Sequence, residues 1–435
     1  MKQHPHCAFR LGLAAFAVAA ATSIAGESRA DFDLGQGIII PPSAQIPVPP
    51  GVTSDPIEVT VNCSAGGTVA QALALKYLTT NRLTITINGT CTEAIDTGLS
   101  GYTLQGGSSG GALQAPSSST NPVLGISGQH VTLTNLTISG GVNTVIGRHG
   151  GQFSGNNLVI QGGSNSDLQL NGATADLNGS TFQTSGNDGI EAYWGATLFL
   201  NGGTVQQNAG YGINAGYAAS VDVFGGAVLQ SNGFGGAQAF DGAAVYVSNA
   251  TVTKNGTASS GATGGLEAGT GGHVRVSGSN TSIVSNTVDG ISAFRGGSVA
   301  IDNAATVANN SRHGVLIYSG AAGFVRAGSV IRGNGANGIY VEGGEISIGD
   351  GNGPATIASN GQNGVFLRTN SVATLNNSGN QIINNTGWGI LCTGSPSNPL
   401  IFGTVGTVSG NGSGQIACNS SPSAGLAPTA EPTGD

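Results

Sequence analysis

The chain has 435 residues, more than one ordinary compact core encloses and an ordinary length for an elongated repeat protein. Glycine occurs 76 times, 38% of residues are apolar and 8% are charged, which excludes a charge-expanded disordered chain and favours many short strands with tight turns over helices. The formal net charge of −8, with no basic cluster to offset it, excludes nucleic acid as a partner.

The first segment reads as an address. Lys2 and Arg10 precede the small, apolar run from Leu11 to Gly26, and Ser28-Arg29-Ala30 forms a small-x-small cleavage site. This predicts a signal peptide over residues 1–30, cleaved near Ala30, and a secreted, periplasmic or cell-surface protein. Of the 13 basic and 21 acidic residues, the leader holds Lys2, Arg10, Arg29 and Glu27, so the mature chain stands at −10. No later stretch approaches the ~20 apolar residues of a membrane span, and none is expected in the mature chain.

Residues 31–56 carry Pro41, Pro42, Pro47, Pro49, Pro50 and Pro56 and read as an extended linker. Strand character starts at Ile57, Val59 and Val61. Thr68 to Leu78 is the one convincing helix, with Thr68 as its cap and Val69, Leu73 and Tyr77 on one face. A solenoid's end exposes a slice of core, and a short amphipathic helix there serves as a lid.

A repeat then takes over. Glycine followed by an apolar residue recurs at Gly189, Gly212, Gly236, Gly265, Gly290, Gly314, Gly338, Gly364 and Gly389. Four residues before seven of these stands an asparagine: Asn208, Asn232, Asn286, Asn310, Asn334, Asn360 and Asn385. About 24 residues hold three short strands and three turns, and the next coil lies ~4.8 Å along the axis. The expected fold is therefore all-β, a right-handed parallel β-helix of about twelve coils over residues 57–419. Its asparagines should form a ladder at one turn, tolerating a left-handed backbone, while the glycines let the chain bend tightly. Residues 420–435, rich in Pro, Ser and Ala, read as a disordered tail.

After each marker glycine the strand alternates. Ile190, Ala192, Ile213, Ala215, Leu266, Ala268, Ile291 and Ala293 point inward, and Glu191, Tyr193, Asn214, Gln238, Glu267 and Phe294 outward. The cysteines follow the same period. Cys392 and Cys418 are 26 residues apart at one strand position, and Cys63 and Cys91 are 28 apart, so Cys63–Cys91 and Cys392–Cys418 are the expected disulfides.

The runs Val59–Cys63 (VTVNC), Gly66–Leu73 (GGTVAQAL), Leu83–Glu93 (LTITINGTCTE) and Tyr102–Gly107 (YTLQGG), with the repeat behind them, resemble exported β-helix proteins of the pectin-lyase-like superfamily. The resemblance covers residues 57 to about 420. It implies the fold; it leaves the activity open, because that superfamily holds lyases, hydrolases, epimerases and adhesins. Where alginate epimerases and related lyases carry Gly-Phe-Asp-Pro-His, this chain reads Gly189-Ile190-Glu191-Ala192-Tyr193. Asn310 to Gly314 (NSRHG) is similar to another stretch of those epimerases. The closely set aspartates of polygalacturonases and the carboxylate cluster of calcium-dependent pectate lyases are absent, and neither metal nor cofactor is expected.

Three functions remain open at this level. One is contact with a polysaccharide or cell-surface polymer through an outward face bearing Trp194, Tyr217, Phe240 and Phe294, with Asp241, Glu267 and Arg295 as polar contacts. A second is a uronate lyase or C5-epimerase, in which Arg148 and His149 stand two coils before Glu191 and Tyr193; Arg295 and His313 form another such group about one coil apart. The third is a structural surface protein or adhesin.

Overall fold

A computed structural model describes residues 38–39, 55–117, 119–394 and 399–418. The expected signal peptide, most of the proline-rich linker and the C-terminal tail lie outside these residues. From Val131 onward each coil gives one strand to a 14-stranded parallel sheet and two to a continuous 28-stranded sheet folded around the corner, to which the earlier coils give single strands. The rod is a parallel β-solenoid of about fifteen turns, not twelve. The additional turns lie before residue 128, where neither marker glycine nor ladder asparagine flags them. There the long strands Leu83–Thr92 and Tyr102–Gln114 pair with each other and round the corner through a register shift between Ile87 and Gly89.

Stacking in register converts sequence period into core. Leu168, Ile190, Ile213, Ala237, Leu266, Ile291, Val315, Ile339, Val365 and Ile390 form one unbroken inward column, all buried. An alanine column runs beside it through Ala192, Ala215, Ala239, Ala268 and Ala293. Small side chains there let the facing sheets close on one another, so removing or adding a methylene is felt directly.

The asparagine ladder is longer than the seven residues that the spacing marked. It runs Asn208, Asn232, Asn255, Asn286, Asn310, Asn334, Asn360, Asn385 and Asn411, each buried. The backbone N–H and side-chain amide of each donate to the Oδ1 of the next; for Asn286 onto Asn310 the distances are 3.0 and 2.9 Å. Asn255 and Asn411 escape the spacing rule because an insertion or a change of marker residue follows each. The ladder asparagines do not adopt the left-handed conformation expected of them. The residue before each does: Gln207, Ser231, Lys254, Ser285, Asn309, Gly333, Ser359, Asn384 and Gly410 all have positive φ.

The marker glycines have a different purpose from bending. A Cβ on Gly290 would lie 2.6 Å from the Gly314 carbonyl oxygen and 2.7 Å from Asn310 Nδ2. Only hydrogen leaves room for the next coil's ladder amide.

The ladder ends N-terminally at Ser185, whose N–H donates to Asn208 Oδ1 at 3.0 Å. Serine is too short to serve the preceding coil, and Asp167 replaces it from the marker-glycine column. Its Oδ1 accepts from the Gly163 N–H at 3.2 Å, while its Oδ2 is buried without a partner. Burial pushes this carboxyl up to about 8, and its hydrogen bonds only partly offset that.

At the N-terminus the helix is shorter than its sequence suggests. Val69–Leu73 is α-helical and Ala74–Leu78 is 3-10. Thr68 Oγ1 accepts from the Gln71 N–H, and Glu93, one coil on, accepts from the Val69 and Ala70 N–H groups at 2.7 and 3.0 Å. The tighter winding turns Leu75 inward and leaves Tyr77, expected on the buried face, 72% exposed. Both disulfides form, Cys63–Cys91 and Cys392–Cys418, with Cα separations of 4.9 and 4.8 Å. They staple the first and last coils and are compatible with an exported protein. Among the described residues, no helix is long and apolar enough to cross a membrane.

Replacing Asn310 with Ala should orphan both Asn286 donors and cost roughly 2–5 kcal/mol. The check is a lowered unfolding midpoint together with lost hydrogen-exchange protection at the Asn286 amide; an unchanged midpoint would mean the ladder adds no net stability. For Asp167 the folded pKa lies above the unfolded one, so its contribution is fully present below about 4 and declines as pH rises towards 8. Asp167→Asn, which offers the ladder's own amide, should flatten the fall of stability between pH 4 and 8 and exceed the wild type at the upper end. Parallel denaturation curves for the two proteins across that range would contradict this.

Candidate functional site

Because the coils are in register, every outward position of the 14-stranded sheet becomes a column along the rod. The central column reads Gln169, Glu191, Asn214, Gln238, Glu267 and Ser292. It is a row of amides and carboxyls ending in a serine, and it holds two hydrogen-bonded pairs, Gln169–Glu191 and Gln238–Glu267. Gln169 Nε2 and Asn165 Nδ2 donate to the two oxygens of Glu191 at 2.6 and 3.1 Å. Gln238 Nε2 and the Tyr211 hydroxyl donate to Glu267 Oε1 at 2.5 and 3.3 Å. Burial raises the Glu191 and Glu267 carboxyls above their ordinary range, and the amide hydrogen bonds oppose this.

The neighbouring column consists of the residues that directly precede the marker glycines: Asp188, Tyr211, Gly235, Gly264, Asp289, His313, Asn337, Asn363 and Trp388. Its acceptors cap backbone N–H groups one coil on. Asp188 takes the Tyr211 N–H at 2.7 Å, Asp289 the His313 N–H at 3.0 Å, Asn337 the Asn363 N–H at 3.1 Å and Asn363 the Trp388 N–H at 2.8 Å. His313 belongs to this series, since its Nδ1 faces the Asn337 N–H at 3.3 Å. It accepts there only when neutral. Burial lowers its pKa to about 4.

The third column carries the aromatics. Tyr193 lies edge-on to Tyr217 and Phe240 at 5.9 and 6.1 Å, and Tyr217 to Phe240 at 5.4 Å. Glycines make room for the rings: a Cβ on Gly216 would collide with Phe240, and one on Gly269 with Phe294. Beyond Gly269 a separate pair, Phe294 over Tyr318, stacks at 5.4 Å. With Tyr340, which lies edge-on to Phe366 at 5.3 Å, the aromatic flank is three clusters rather than one continuous strip. Burial, and then the Glu191 and Asp188 carboxylates, push the Tyr193 hydroxyl above its ordinary value.

The turn after the strand is left-handed in coil after coil, at His149, Gly172, Trp194, Tyr217, Asp241, Thr270, Arg295 and Ser319. Five of the predicted site residues therefore share one column: His149, Trp194, Tyr217, Asp241 and Arg295. Trp194 and Tyr217 stack face to face at 4.2 Å with 5° between planes, and they remain 63% and 40% exposed.

The structure brings Glu191 and Tyr193 together on one strand, with Trp194, Tyr217 and Phe240 around them. Arg148 and His149 stand two coils earlier, roughly 10 Å along the axis. Arg148 is engaged with Asp96 at 3.3 Å, and its Nε is buried without a partner. Glu267 lies three coils beyond Glu191. Arg295 and His313 do not form a group. Ile291 pairs with Val315, which sets His313 beside Asp289 at one end of the strand and Arg295 past the other. Asp188, Tyr211, Gln169 and Asn165 went unrecognised in the sequence. The signal for the first two was available, because each directly precedes a marker glycine. Among the described residues, no group of three His, Cys, Asp or Glu side chains is placed to hold a metal ion.

The architecture is the parallel β-solenoid that the sequence resemblance implies. No family profile matches the chain, and no curated protein matches it in sequence. Among solved structures it is similar to the A-module of the Azotobacter vinelandii mannuronan C-5 epimerase AlgE4, at 14% identity over 83% of this chain and 95% of that one, TM-score 0.40. It is also similar to the periplasmic alginate epimerase AlgG, at 12% identity over 85% and 83%, TM-score 0.34. A third neighbour is the catalytic domain of a GH87 alpha-1,3-glucanase, at 14% identity over 84% and 70%, TM-score 0.39.

His313 has a folded pKa below its unfolded value, so its contribution is present above about 6.5 and is lost as pH falls towards 4. His313→Asn, which installs the acceptor that the next two coils use, should abolish that acid-side loss without lowering stability at pH 8. Thermal melts of both proteins from pH 4 to 8 test this, and an unaltered acid limb would contradict it.

Proposed function

We infer that the protein is an exported rod that holds a polysaccharide or cell-surface polymer along the outer face of its 14-stranded sheet. One observation carries the reading. Trp194 and Tyr217 form an exposed, parallel stack beside a row of amide and carboxyl groups. Sugars are bound by this combination, because their C–H faces pack on aromatic rings while their hydroxyls exchange hydrogen bonds with planar polar groups.

The lyase or epimerase reading assigns Arg148, His149, Glu191 and Tyr193 to proton transfer. Its support is the placing of Glu191 and Tyr193 side by side with a cation two coils away. The electrostatics run against it. A tyrosine base needs its hydroxyl lowered by positive charge, whereas Tyr193 is raised by burial and by two carboxylates. Arg148 is already paired with Asp96, and both oxygens of Glu191 are taken by amides.

Affinity electrophoresis through gels holding neutral and uronate polysaccharides tests the binding reading. Retardation on at least one polymer should weaken roughly 3- to 10-fold when Tyr217 or Phe240 becomes Ala. The same polymers, followed by ultraviolet absorbance for unsaturated uronates, should show no rise. An absorbance rise that Tyr193→Phe abolishes would replace binding by lyase action. Neither retardation nor absorbance on any polymer would favour a structural surface protein or adhesin.

A further inference from the structure

We propose that the turn column holds a single-ring sugar subsite: a slot with Trp194 as one wall, His149 as the other and Gly172 as its floor, selective for an uncharged pyranose. The inference rests on the saccharide-contact reading above and narrows it to one place and one class of ring.

The slot follows from the stacking. His149, Gly172 and Trp194 occupy the same left-handed turn position in three successive coils: the strands before them pair in register through Arg148, Asn171 and Tyr193, and their φ values are 56°, 60° and 60°. The centroid distance of 4.2 Å and interplanar angle of 5° between Trp194 and Tyr217 match the rise of one coil, so the indole normal runs along the rod. Tyr217 covers one face of the indole. The other face looks back over the coil of Gly172, which has no side chain to cover it.

The space there is open. A Cβ on Gly172 would touch only the Trp194 carbonyl oxygen, at 3.3 Å. The contrast with Gly216 and Gly269 is informative, because a ring from the next coil already fills the room above each of those glycines. Two coil rises separate the walls by roughly 10 Å. A ring in van der Waals contact on both faces needs about 7–8 Å between its neighbours, so a ring resting on the indole has about 2–3 Å to spare on the His149 side. One pyranose fits and two do not.

Charge selects the kind of ring. Arg148, on the strand that leads into His149, is committed to Asp96 at 3.3 Å and so is not free to pair with a sugar carboxylate. Further along the same face lie Asp188, Glu191, Asp241 and Glu267. A uronate would enter without a counter-charge and against this row, whereas a neutral hexose or pentose ring meets the indole with its C–H face and incurs no such penalty.

The test uses the 2 tryptophans of the chain. In the purified Trp388→Phe protein, Trp194 fluorescence is titrated with neutral gluco-, manno- and xylo-oligosaccharides and, separately, with oligomannuronate and oligogalacturonate. A saturable change is expected with at least one neutral oligosaccharide and with neither uronate. Gly172→Tyr should weaken it at least 10-fold, because the new ring fills the slot. Its fold should survive, since Trp194 and Tyr217 already occupy this turn position with the same φ. Trp194→Ala, followed by affinity electrophoresis, gives the same answer through a deletion if the insertion disturbs the turn. Saturation by uronates alone, or neutral binding indifferent to both variants, overturns the slot. Retardation that survives Gly172→Tyr and Trp194→Ala but falls with Phe240→Ala would sink the slot and leave the wider face standing. Loss of all binding in the unaltered protein would sink both.

Discussion

The structure depends on one repeated contact: an asparagine amide that reaches from its own coil to the backbone and side chain of the next. A coil of about 24 residues cannot satisfy its own turn N–H groups or bury its own strands, so nothing smaller than a stack is stable. The ladder closes that deficit at the tightest turn, and it dictates its neighbours. The marker glycines exist because the amide of the next coil occupies the place where their Cβ would be, as at Gly290 against Asn310. Where the ladder stops, at Ser185, the fold uses a buried acid in its place, and Asp167 is left with an oxygen that nothing satisfies.

The same logic carries over to the outer face, where the polar columns are tied into the stack. Asp188, Asp289, His313, Asn337 and Asn363 cap the backbone of the following coil and so belong to the stack, even though Asp, His and Asp are the residue types from which active sites are built. One column over, Gln169, Glu191, Gln238 and Glu267 satisfy one another. Past the end of the strand, at the left-handed turn, large side chains of this face stand in solvent. That is where Trp194 and Tyr217 stack, and where Gly172 leaves a vacancy beside them.

Buried acids on this rod have a common signature. Asp167, Asp188, Glu191 and Glu267 are all raised by burial first, with hydrogen bonds opposing. Each makes the folded state prefer its proton and so adds stability as the medium becomes more acid, whereas His313, held neutral by burial, withdraws stability as pH falls from about 6.5 towards 4. Such shifts often mark catalytic groups. Here partners already occupy the oxygens of Glu191 and Asp188, and the shifts read as the cost of stacking polar columns against one another.

Much of this was legible in the chain alone, for a physical reason: in a solenoid, long-range neighbours are separated by a nearly constant number of residues. Period therefore determined the parallel stack, the inward columns, seven members of the ladder and both cysteine pairs. It failed where a coil departs from the period or where two roles share a spacing. The coils before residue 128 carry no marker and were undercounted. Tyr77 was placed by an α-helical period in a segment that winds as 3-10. The left-handed residue was assigned to the ladder asparagine when it is the residue before it. His313 and Arg295 looked like neighbours because spacing gives the coil but not the position along the strand. What only the tertiary structure decided is which outward groups are already spoken for. Sequence places Glu191, His313 and Trp194 on the same side of the rod; the hydrogen bonds and the stacked rings decide that the first two are held by their neighbours and that the third keeps an open face.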